Sequence, residues 1–385
     1  IILKILDQQK FMTKVEFLKN RKYYNFLAAA TYSIIFIITL TVVFVLANIL
    51  FPYPNIPNYS SYVSVKLKNF AEHKNEYNAI FIGPSTTFHG IVPNLFDDLM
   101  AEKNLEIKSF NLGFGGATVA EIDFYLRTII ALKPANLKWL FIEYQDSLYE
   151  HLSNADSARS IYWHTPKETI LALGITLEQE KPWRQKFSIA YGNFKSLFYR
   201  ILSMGRFSDF WSEKVLGSNL VEFIKQPYSK KLIQESGYSA LDGKKKPGKN
   251  EIGRRQRFLN NLDDYYQRVD KLKQRNTASI NFSKTYSLKV LKNMCARIEE
   301  QGIQPIIFIS PTLEYQEQTA IELSKRYNKS VVFAFNNPEI FPTLYQVESR
   351  SGFAHLNDRG AREFTRFMAE QFAKYLETKK SGIYP

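Results

Sequence analysis

The stretch Asn78-Ala79-Ile80-Phe81-Ile82-Gly83-Pro84-Ser85 decides the fold class of this chain. Its apolar part has no polar residue at alternate positions, which is typical of a strand that is covered on both faces. The run ends at a glycine and a polar turn, and a helix pattern follows at 93–103. Because such strands occur in parallel sheets with helices on both sides, the stretch predicts an α/β fold.

The same alternation continues along the chain, on both sides of one long interruption. Further strands are predicted at 107–111, 138–143, 304–309 and 330–335. Further helices are predicted at 119–132, 284–301, 313–327 and 358–376, with Asn357 or Asp358 as the cap of the last one. Strands separated by helices imply a parallel sheet, and such sheets bind ligands beyond the carboxyl ends of their strands.

The interruption covers residues 147–283, which are rich in Tyr, Phe, Trp, Lys and Arg. It contains amphipathic helical stretches such as 187–204. We therefore predict an α/β domain over 63–385 that carries a large helical insertion at about 147–283. A chain of 385 residues has room for one such domain and a terminal anchor.

The N-terminal region contains a long apolar segment, because residues 26–51 include no charged side chain. About 20 apolar residues cross the hydrocarbon core of a membrane, so this segment is long enough. It is too long for a cleaved signal peptide, and Pro52 and Pro54 are placed to end the helix. We predict a transmembrane anchor at 26–51.

The orientation of this anchor follows from the basic residues around it. Six of them precede the segment, and no Lys or Arg follows it before Lys66. The positive-inside rule then predicts a cytoplasmic segment at 1–25 and a single-pass protein of the cell membrane, with its main domain outside the cytoplasm.

The net charge of +14 suggests anionic surroundings such as lipid headgroups or acidic glycans. The basic residues are dispersed, apart from a cluster at 244–257 that has the Gly and Pro content of a solvated loop. No basic helix with groove-reading side chains is present, so nucleic acid is not a predicted partner. The single cysteine, Cys295, excludes an internal disulfide, and no His and carboxylate spacing predicts a metal or cofactor site.

Two loops at the expected ligand edge carry residues with chemical potential. Ser85 directly follows the first strand, where the N–H groups of a following helix would surround an oxyanion, although a turn that merely caps a helix has the same pattern. His355 lies in the loop before the last helix, where it could act as the base that a serine nucleophile needs.

A glycine-rich loop at 110–118 follows the second predicted strand. Its glycines allow close approach of a backbone to a ligand, so a nucleotide site is a weaker interpretation. A dinucleotide fingerprint would need Gly or Ala where Thr118 stands, and it would follow the first strand.

These loops, in this order, resemble the SGNH (GDSL-like) family of hydrolases and acyltransferases over 78–146 and 285–376. The matching motifs are Ser85, Asn111-Leu112-Gly113, and His355-Leu356-Asn357 with the downstream Gly360-Ala361. The resemblance implies a flavodoxin-like three-layer parallel sheet. It also implies that Ser85 is the nucleophile, that the N–H of Gly113 binds the oxyanion, and that His355 is the base.

The chain departs from the family pattern at three places. Pro84 replaces the family's Asp before the serine, and Glu143-Tyr144-Gln145-Asp146 stands where the family has Gly-x-Asn-Asp. The amide of Gln145 would supply the missing oxyanion donor with a longer reach. Gly352 stands where the family has the triad Asp, three residues before the histidine, and Glu348 is the nearest acid upstream.

Trp163 and His164 fall within the insertion and offer two open interpretations. Flat aromatic rings pack on the apolar faces of sugars, so the pair could line a substrate surface. An aromatic cluster in the core beneath the insertion would have the same sequence pattern.

The residues thus lead to two main functional hypotheses. The first is an extracytoplasmic serine esterase or O-acyltransferase that acts on an acyl ester, with acetyl as the expected group, of a glycan or lipid. Proteins with this resemblance often work beside a multi-pass membrane O-acyltransferase. The second, motivated by Gly352 and Gln145, is a catalytically inactive SGNH-fold protein that binds glycans or assists assembly.

Overall fold

The computed structural model describes residues 2–59, 61–144, 155–203, 224–242, 249–275, 286–313, 323 and 331–380. Within them, one sheet contains the strands β1 (Ala79–Gly83), β2 (Ser109–Gly113), β3 (Trp139–Glu143), β4 (Gln304–Ile309) and β5 (Val331–Ala334). The strand order is β2-β1-β3-β4-β5, and every pairing is parallel. The predicted α/β class is therefore confirmed, and the order is one of the two common orders of doubly wound sheets.

Apolar side chains alternate between the two faces of the sheet and pack into a separate core on each side. Ile80 and Ile82 of β1 point into a core shared with α2 (Tyr62–His73), α5 (Val119–Ala131) and α12 (Tyr286–Glu299). Phe81 points into the opposite core, which α4 (Pro93–Ala101) and α13 (Asp358–Lys380) complete. Burial on both faces explains why the strands are continuous apolar runs in the sequence.

The start of β2 and the presence of helix α2 differ from the sequence prediction. The strand predicted at 107–111 begins at Ser109, where the Ser109 N–H and hydroxyl donate to the Asp97 carboxylate and hold the strand end against α4. Helix α2 was not predicted, because its inward face contains the polar Ser64, Lys66 and Asn69 among the apolar residues. The predicted helix at 313–327 lies outside the described residues, apart from Leu313 and Leu323.

The insertion after β3 is helical wherever the structure describes a secondary-structure element in it. Its helices are α6 (Ala158–Trp163), α7 (Pro166–Glu178), α8 (Trp183–Ile201), α9 (Pro227–Gln234), α10 (Lys249–Leu259) and α11 (Leu262–Arg275). The prediction of a solvated loop at 244–257 is wrong for its second half, which belongs to α10. Phe258 is buried in the core and holds this helix against the domain.

The N-terminal helix α1 (Ile2–Leu50) contains one apolar segment, Tyr23–Leu50, that is long enough to cross a membrane. Its 28 residues extend over about 42 Å, and a hydrocarbon core is about 30 Å thick. The protein covers none of this segment's most apolar window, unlike a core helix of a globular domain. The helix ends two residues before Pro52, as the sequence predicts.

Candidate functional site

Ser85 lies where the carboxyl end of β1 turns into α3 (Ser85–Gly90). The turn is tight, because the strand ends at Gly83 and the helix begins after Pro84 alone. The Phe88 N–H donates to the Pro84 carbonyl at 3.0 Å and closes the first helical turn. The first N–H groups of a helix have no acceptor within it, so this turn presents N–H donors around Ser85.

His355 lies in a short loop that is fixed at both ends before α13 begins. Arg350 and Leu356 form an antiparallel bridge, and the Ser351 N–H donates to the His355 carbonyl at 2.9 Å. The buried guanidinium of Arg350 donates to the carbonyls of Pro311 and Phe353, at 2.8 and 2.5 Å. The loop is therefore tied to the end of β4, which orients the imidazole toward β1.

The start of α13 shows why the sequence around His355 has its particular pattern. The side chain of Asn357 accepts from the Gly360 N–H at 2.9 Å, which confirms Asn357 as the cap. A Cβ atom at Gly360 would lie 2.1 Å from the Ser349 carbonyl oxygen, so this position needs glycine. Both residues hold the helix close to the loop and so position the imidazole.

The two predicted chemical groups meet in the structure. The Nε2 atom of His355 lies 2.8 Å from the Oγ atom of Ser85, although 270 residues separate them in sequence. This distance is within the range in which a base removes a proton from a serine hydroxyl. The position of the pair at the carboxyl edge of the sheet agrees with the sequence prediction.

The environment of His355 favours the neutral imidazole. Burial is the main cause that lowers its pKa to about 3, together with the electrostatic effect of His89, Arg350 and Arg254. The His89 ring lies 6.2 Å from the His355 ring, edge to face, and its Nδ1 is 2.7 Å from the Ser239 carbonyl oxygen. A neutral imidazole at physiological pH is the form that can accept a proton from Ser85.

Within the described ranges, no carboxylate contacts the imidazole of His355. Glu348 is exposed, and only its backbone carbonyl, which accepts from Asn357, takes part in fixing the loop. The space beside Gly352 contains the side chain of Arg254, whose Cγ would lie 3.6 Å from a Cβ atom at that glycine. A cation from α10 thus lies near the position where the family has an acid.

A buried carboxylate that the sequence did not single out supports the serine turn. Glu143, at the end of β3, accepts from the hydroxyl groups of Thr86 and Thr87, both at 2.5 Å. Burial raises its pKa, and these hydrogen bonds oppose the rise. A Cβ atom at Gly83 would lie 2.0 Å from Thr87 Oγ1, so the glycine allows this packing. The sequence signal was the pair of threonines directly after Ser85.

Gly113 lies beside the serine turn, but its N–H already has an acceptor. It donates to the Asn111 side-chain oxygen at 2.8 Å, while the Asn111 amide donates to the carbonyls of Thr87 and Ile91. Asn111 therefore ties β2 to α3. A Cβ atom at Gly113 would lie 2.4 Å from the Phe88 nitrogen, so this glycine serves close packing. Its role as an oxyanion donor stays a prediction, and it would require the hydrogen bond from the Gly113 N–H to the Asn111 side chain to break.

The structure describes two of the three remaining predicted site residues. Gln145, the second predicted oxyanion donor, falls outside the described residues. Trp163 and His164 are buried, and His164 contacts Ser160 and the Asn193 side-chain oxygen. This burial fits the alternative interpretation of a cluster in the core better than that of a substrate surface. Burial also lowers the pKa of His164 to about 4.

A cavity of about 10 Å³ adjoins the pair, which is room for about one water molecule. Its lining residues include Thr86, His89, Ser310 and His355. A larger cavity of about 330 Å³ lies between the residues after α1 and the helices α5 and α7, away from Ser85. In the part of the chain that the structure describes, no group of three or more His, Cys, Asp or Glu side chains is placed to hold a metal ion.

Comparison with known proteins adds no family to this geometry. No protein-family model matches the chain, and a search of curated proteins finds no match either.

Proposed function

We propose that this protein is an SGNH-like serine esterase or O-acyltransferase whose nucleophile is Ser85 and whose base is His355. The contact of 2.8 Å between Ser85 Oγ and His355 Nε2 carries the proposal. The position at the carboxyl edge of a parallel sheet supports it, because sheets of this class place their sites there. The family resemblance of the flanking motifs adds the expectation of acyl chemistry.

The proposed reaction has two balanced steps. Ser85 Oγ attacks the ester carbonyl carbon and transfers its proton to His355 Nε2, which then protonates the departing alkoxide as the ester C–O bond breaks. An acyl-Ser85 intermediate remains. In the second step, water or a sugar hydroxyl gives its proton to His355 and attacks the acyl carbon. The bond between the acyl carbon and Ser85 Oγ then breaks, and His355 returns the proton to Ser85 Oγ. If water accepts the acyl group, the protein is an esterase, and if a sugar hydroxyl accepts it, the protein is a transferase.

The oxyanion of each step would be held by the Ser85 N–H at the start of α3. Donors fixed by the fold before the reaction stabilise this charge without reorganisation. The hydrogen bonds from Thr86 and Thr87 to Glu143 keep the turn in place while charge develops. The acetyl group is the expectation that comes with the family resemblance.

The substrate is proposed to be an acylated glycan or lipid close to a membrane. In this proposal α1 crosses the cell membrane once, with its basic N-terminal flank cytoplasmic and the α/β domain outside. A multi-pass membrane O-acyltransferase is then a suitable partner, since it could deliver acyl groups to the outer surface. Protease protection of the α/β domain in inside-out vesicles, but not in right-side-out cells, tests this orientation.

A fluorophosphonate probe tests the proposed chemistry, because it reacts covalently with activated serines. We expect labelling of the full chain in detergent, none in Ser85→Ala, and a reduction of about 100-fold or more in His355→Gln. His89→Gln is the matched control, because this second histidine lies near the pair but contacts the Ser239 carbonyl. Equal labelling of the Ser85→Ala and unmodified chains would exclude Ser85 as the nucleophile.

A second candidate function is a binding protein without catalysis. The observation in its favour is that, in the described ranges, no carboxylate contacts the His355 imidazole. It predicts retained binding of acetylated glycan without turnover in both the unmodified chain and Ser85→Ala. Release of acetate by the unmodified chain alone would decide for the enzyme.

A further inference from the structure

Helix α8 exposes an unusual row of large aromatic side chains. The aromatic row consists of Trp183, Phe187, Tyr191, Phe194 and Phe198. Their spacing of three and four residues places them on one face of the helix. Their exposed fractions are 74, 74, 63, 53 and 56% in that order. A soluble surface rarely leaves an apolar patch of this kind without a partner.

The opposite face of α8 is the one that packs against the domain. It contains the buried residues Ile189, Gly192, Asn193 and Ser196. The Ser196 hydroxyl donates to the Ala155 carbonyl at 2.5 Å, and Asn193 contacts the buried His164. The helix is thus held to the domain by these buried residues, while its aromatic residues point outward. Packing of the domain does not explain the aromatic row.

The C-terminal end of α8 is joined to the end of the apolar helix α1. The Asn48 amide donates to the Ile201 carbonyl at 2.8 Å, and the Tyr53 hydroxyl donates to the Arg200 carbonyl at 3.2 Å. The Arg200 guanidinium also lies over the Tyr53 ring, 4.0 Å from its centroid. Because α1 ends at Leu50, these contacts place the end of α8 at the level where α1 would leave a membrane.

Helix α8 does not run alongside the apolar segment of α1. Residues 31–43 of α1 are exposed, and partial burial near its C-terminal end begins only at Phe44. A helix of 19 residues is about 28 Å long, so a parallel course would have covered much of that segment. Helix α8 therefore diverges from α1 at their shared end and packs on the domain through its buried face.

The charges on α8 suit an anionic lipid surface. The helix contains the basic residues Arg184, Lys186, Lys195 and Arg200 and no acidic residue. Arg184 is exposed beside Trp183 at the N-terminal end, while Lys195 pairs with Asp156 at 3.2 Å. Trp and Tyr prefer the interface of a membrane, and basic side chains beside an apolar face strengthen binding to anionic headgroups.

We infer that the aromatic row of α8 docks in the interface of the membrane that α1 crosses. This inference rests on the membrane span in the proposed function but not on the Ser85 chemistry. The aromatic rings insert among headgroups and upper acyl chains, while the domain stays outside. Two attachments, one crossing and one lying in the plane, hold the domain in a fixed orientation toward substrates on the same surface.

Collisional quenching by lipids with brominated acyl chains tests this inference on the full chain. The chain is reconstituted into phosphatidylcholine vesicles, with or without phosphatidylglycerol, after Cys295→Ser removes the single native cysteine. An environment-sensitive fluorophore is attached at one of three introduced cysteines. These are Tyr191→Cys in the aromatic row, Ile37→Cys in the middle of α1, and Glu370→Cys on the exposed face of α13.

We expect quenching at positions 37 and 191 and none at 370, with phosphatidylglycerol increasing the quenching at 191. Position 370 is the matched control, because α13 lies on the opposite face of the sheet from the core that α5 and α12 share. Adding Phe187→Ser and Phe194→Ser should reduce quenching at 191. The same two substitutions should leave the thermal unfolding midpoint in detergent unchanged, because both side chains are exposed, and this shows that the domain still folds.

The possible outcomes separate this inference from the membrane span. Quenching at 37 with none at 191 would overturn the docking and leave the span intact. A blue-shifted but unquenched label at 191 would also overturn it, because a second copy or another part of the protein would then cover the row. No quenching at either position would overturn both the span and the docking.

Discussion

Within the described ranges, no carboxylate contacts the His355 imidazole. The effect of such a contact can be tested by introducing a carboxylate at position 352. The backbone of Gly352 does not have a positive φ, and a Cβ atom there would meet only Arg254, at ordinary contact distances of 3.6 and 3.8 Å. Gly352→Asp is therefore sterically acceptable. Position 352 lies in the loop that the Ser351 N–H ties to the His355 carbonyl, so we expect the new carboxylate to come close enough to the imidazole to act on its charge.

The expected effect is a rise in the pKa of His355. Burial and positive neighbours hold this pKa at about 3. A carboxylate within about 4–6 Å of a cationic group raises the pKa of that group by about 1–3 units, and each unit corresponds to about 1.4 kcal/mol. The pKa of the variant should therefore lie between about 4 and 6. A more basic imidazole also removes the Ser85 proton more readily.

The rate of fluorophosphonate labelling as a function of pH measures this shift. In the unmodified chain the rate should stay constant down to about pH 4, because the imidazole remains neutral. In Gly352→Asp the acid limb should move upward by about 1–3 pH units and the plateau should rise. Gly352→Asn is the matched control, since it has nearly the same shape without the charge and should leave the acid limb in place.

The same change has a consequence for stability. Because the folded-state pKa of His355 is lower than the unfolded value near 6.5, the unfolded chain binds more protons between about pH 3 and 6.5. The stability of the unmodified chain should therefore rise with pH through that window. Because Gly352→Asp should raise the folded-state pKa of His355, the rise of stability with pH should begin at a higher pH in this variant and cover a narrower pH range.

One result would refute this reasoning. If Gly352→Asp folds but has the same acid limb as Gly352→Asn, then the carboxylate does not act on the titrating base. Arg254 could intercept the new carboxylate, so the double variant with Arg254→Gln must be measured as well. An unchanged acid limb in that variant would exclude His355 as the base that controls Ser85.

Three further outcomes can be expected. Burial raises the pKa of Asp97 to about 7, so the folded state binds more protons between about pH 4 and 7 and stability falls as pH rises; Asp97→Asn should remove this fall in thermal unfolding curves. Gly83→Ala should lower the free energy of unfolding by about 1–3 kcal/mol and slow the labelling of Ser85, because its Cβ would lie 2.0 Å from Thr87 Oγ1. Gly253→Ala, in open space on α10, should raise the free energy of unfolding by up to about 1 kcal/mol. Equal urea midpoints for the two variants would contradict this expectation. Burial lowers the pKa of Lys66, whose ammonium donates to the Gly113 carbonyl at 2.6 Å, so stability should rise with pH as the pH approaches the unfolded-state pKa of about 10.4. A similar rise in Lys66→Met would assign it to another group.

Local sequence patterns determined the main elements of the fold. Continuous apolar runs marked the strands, because each strand is buried on both faces and needs no polar alternation. The uncharged segment before Pro52 marked the apolar helix, and Asn357 marked the start of α13. Ser85 and His355 could be selected because each one directly adjoins a strand end or helix start that the sequence already revealed.

The tertiary structure alone decided what surrounds that pair. Glu143 supports the serine turn, and the Gly113 N–H is taken by Asn111; both depend on contacts between different strands. Trp163 and His164 read equally well as a surface or a core until their burial was known. The order of apolar and polar residues in a segment indicates which face of its helix or strand is buried. The hydrogen-bond partner of a polar group, in contrast, often comes from a segment far away in the sequence. The sequence therefore predicted where the site lies, while the folded chain set its charges and the hydrogen bonds of its N–H groups.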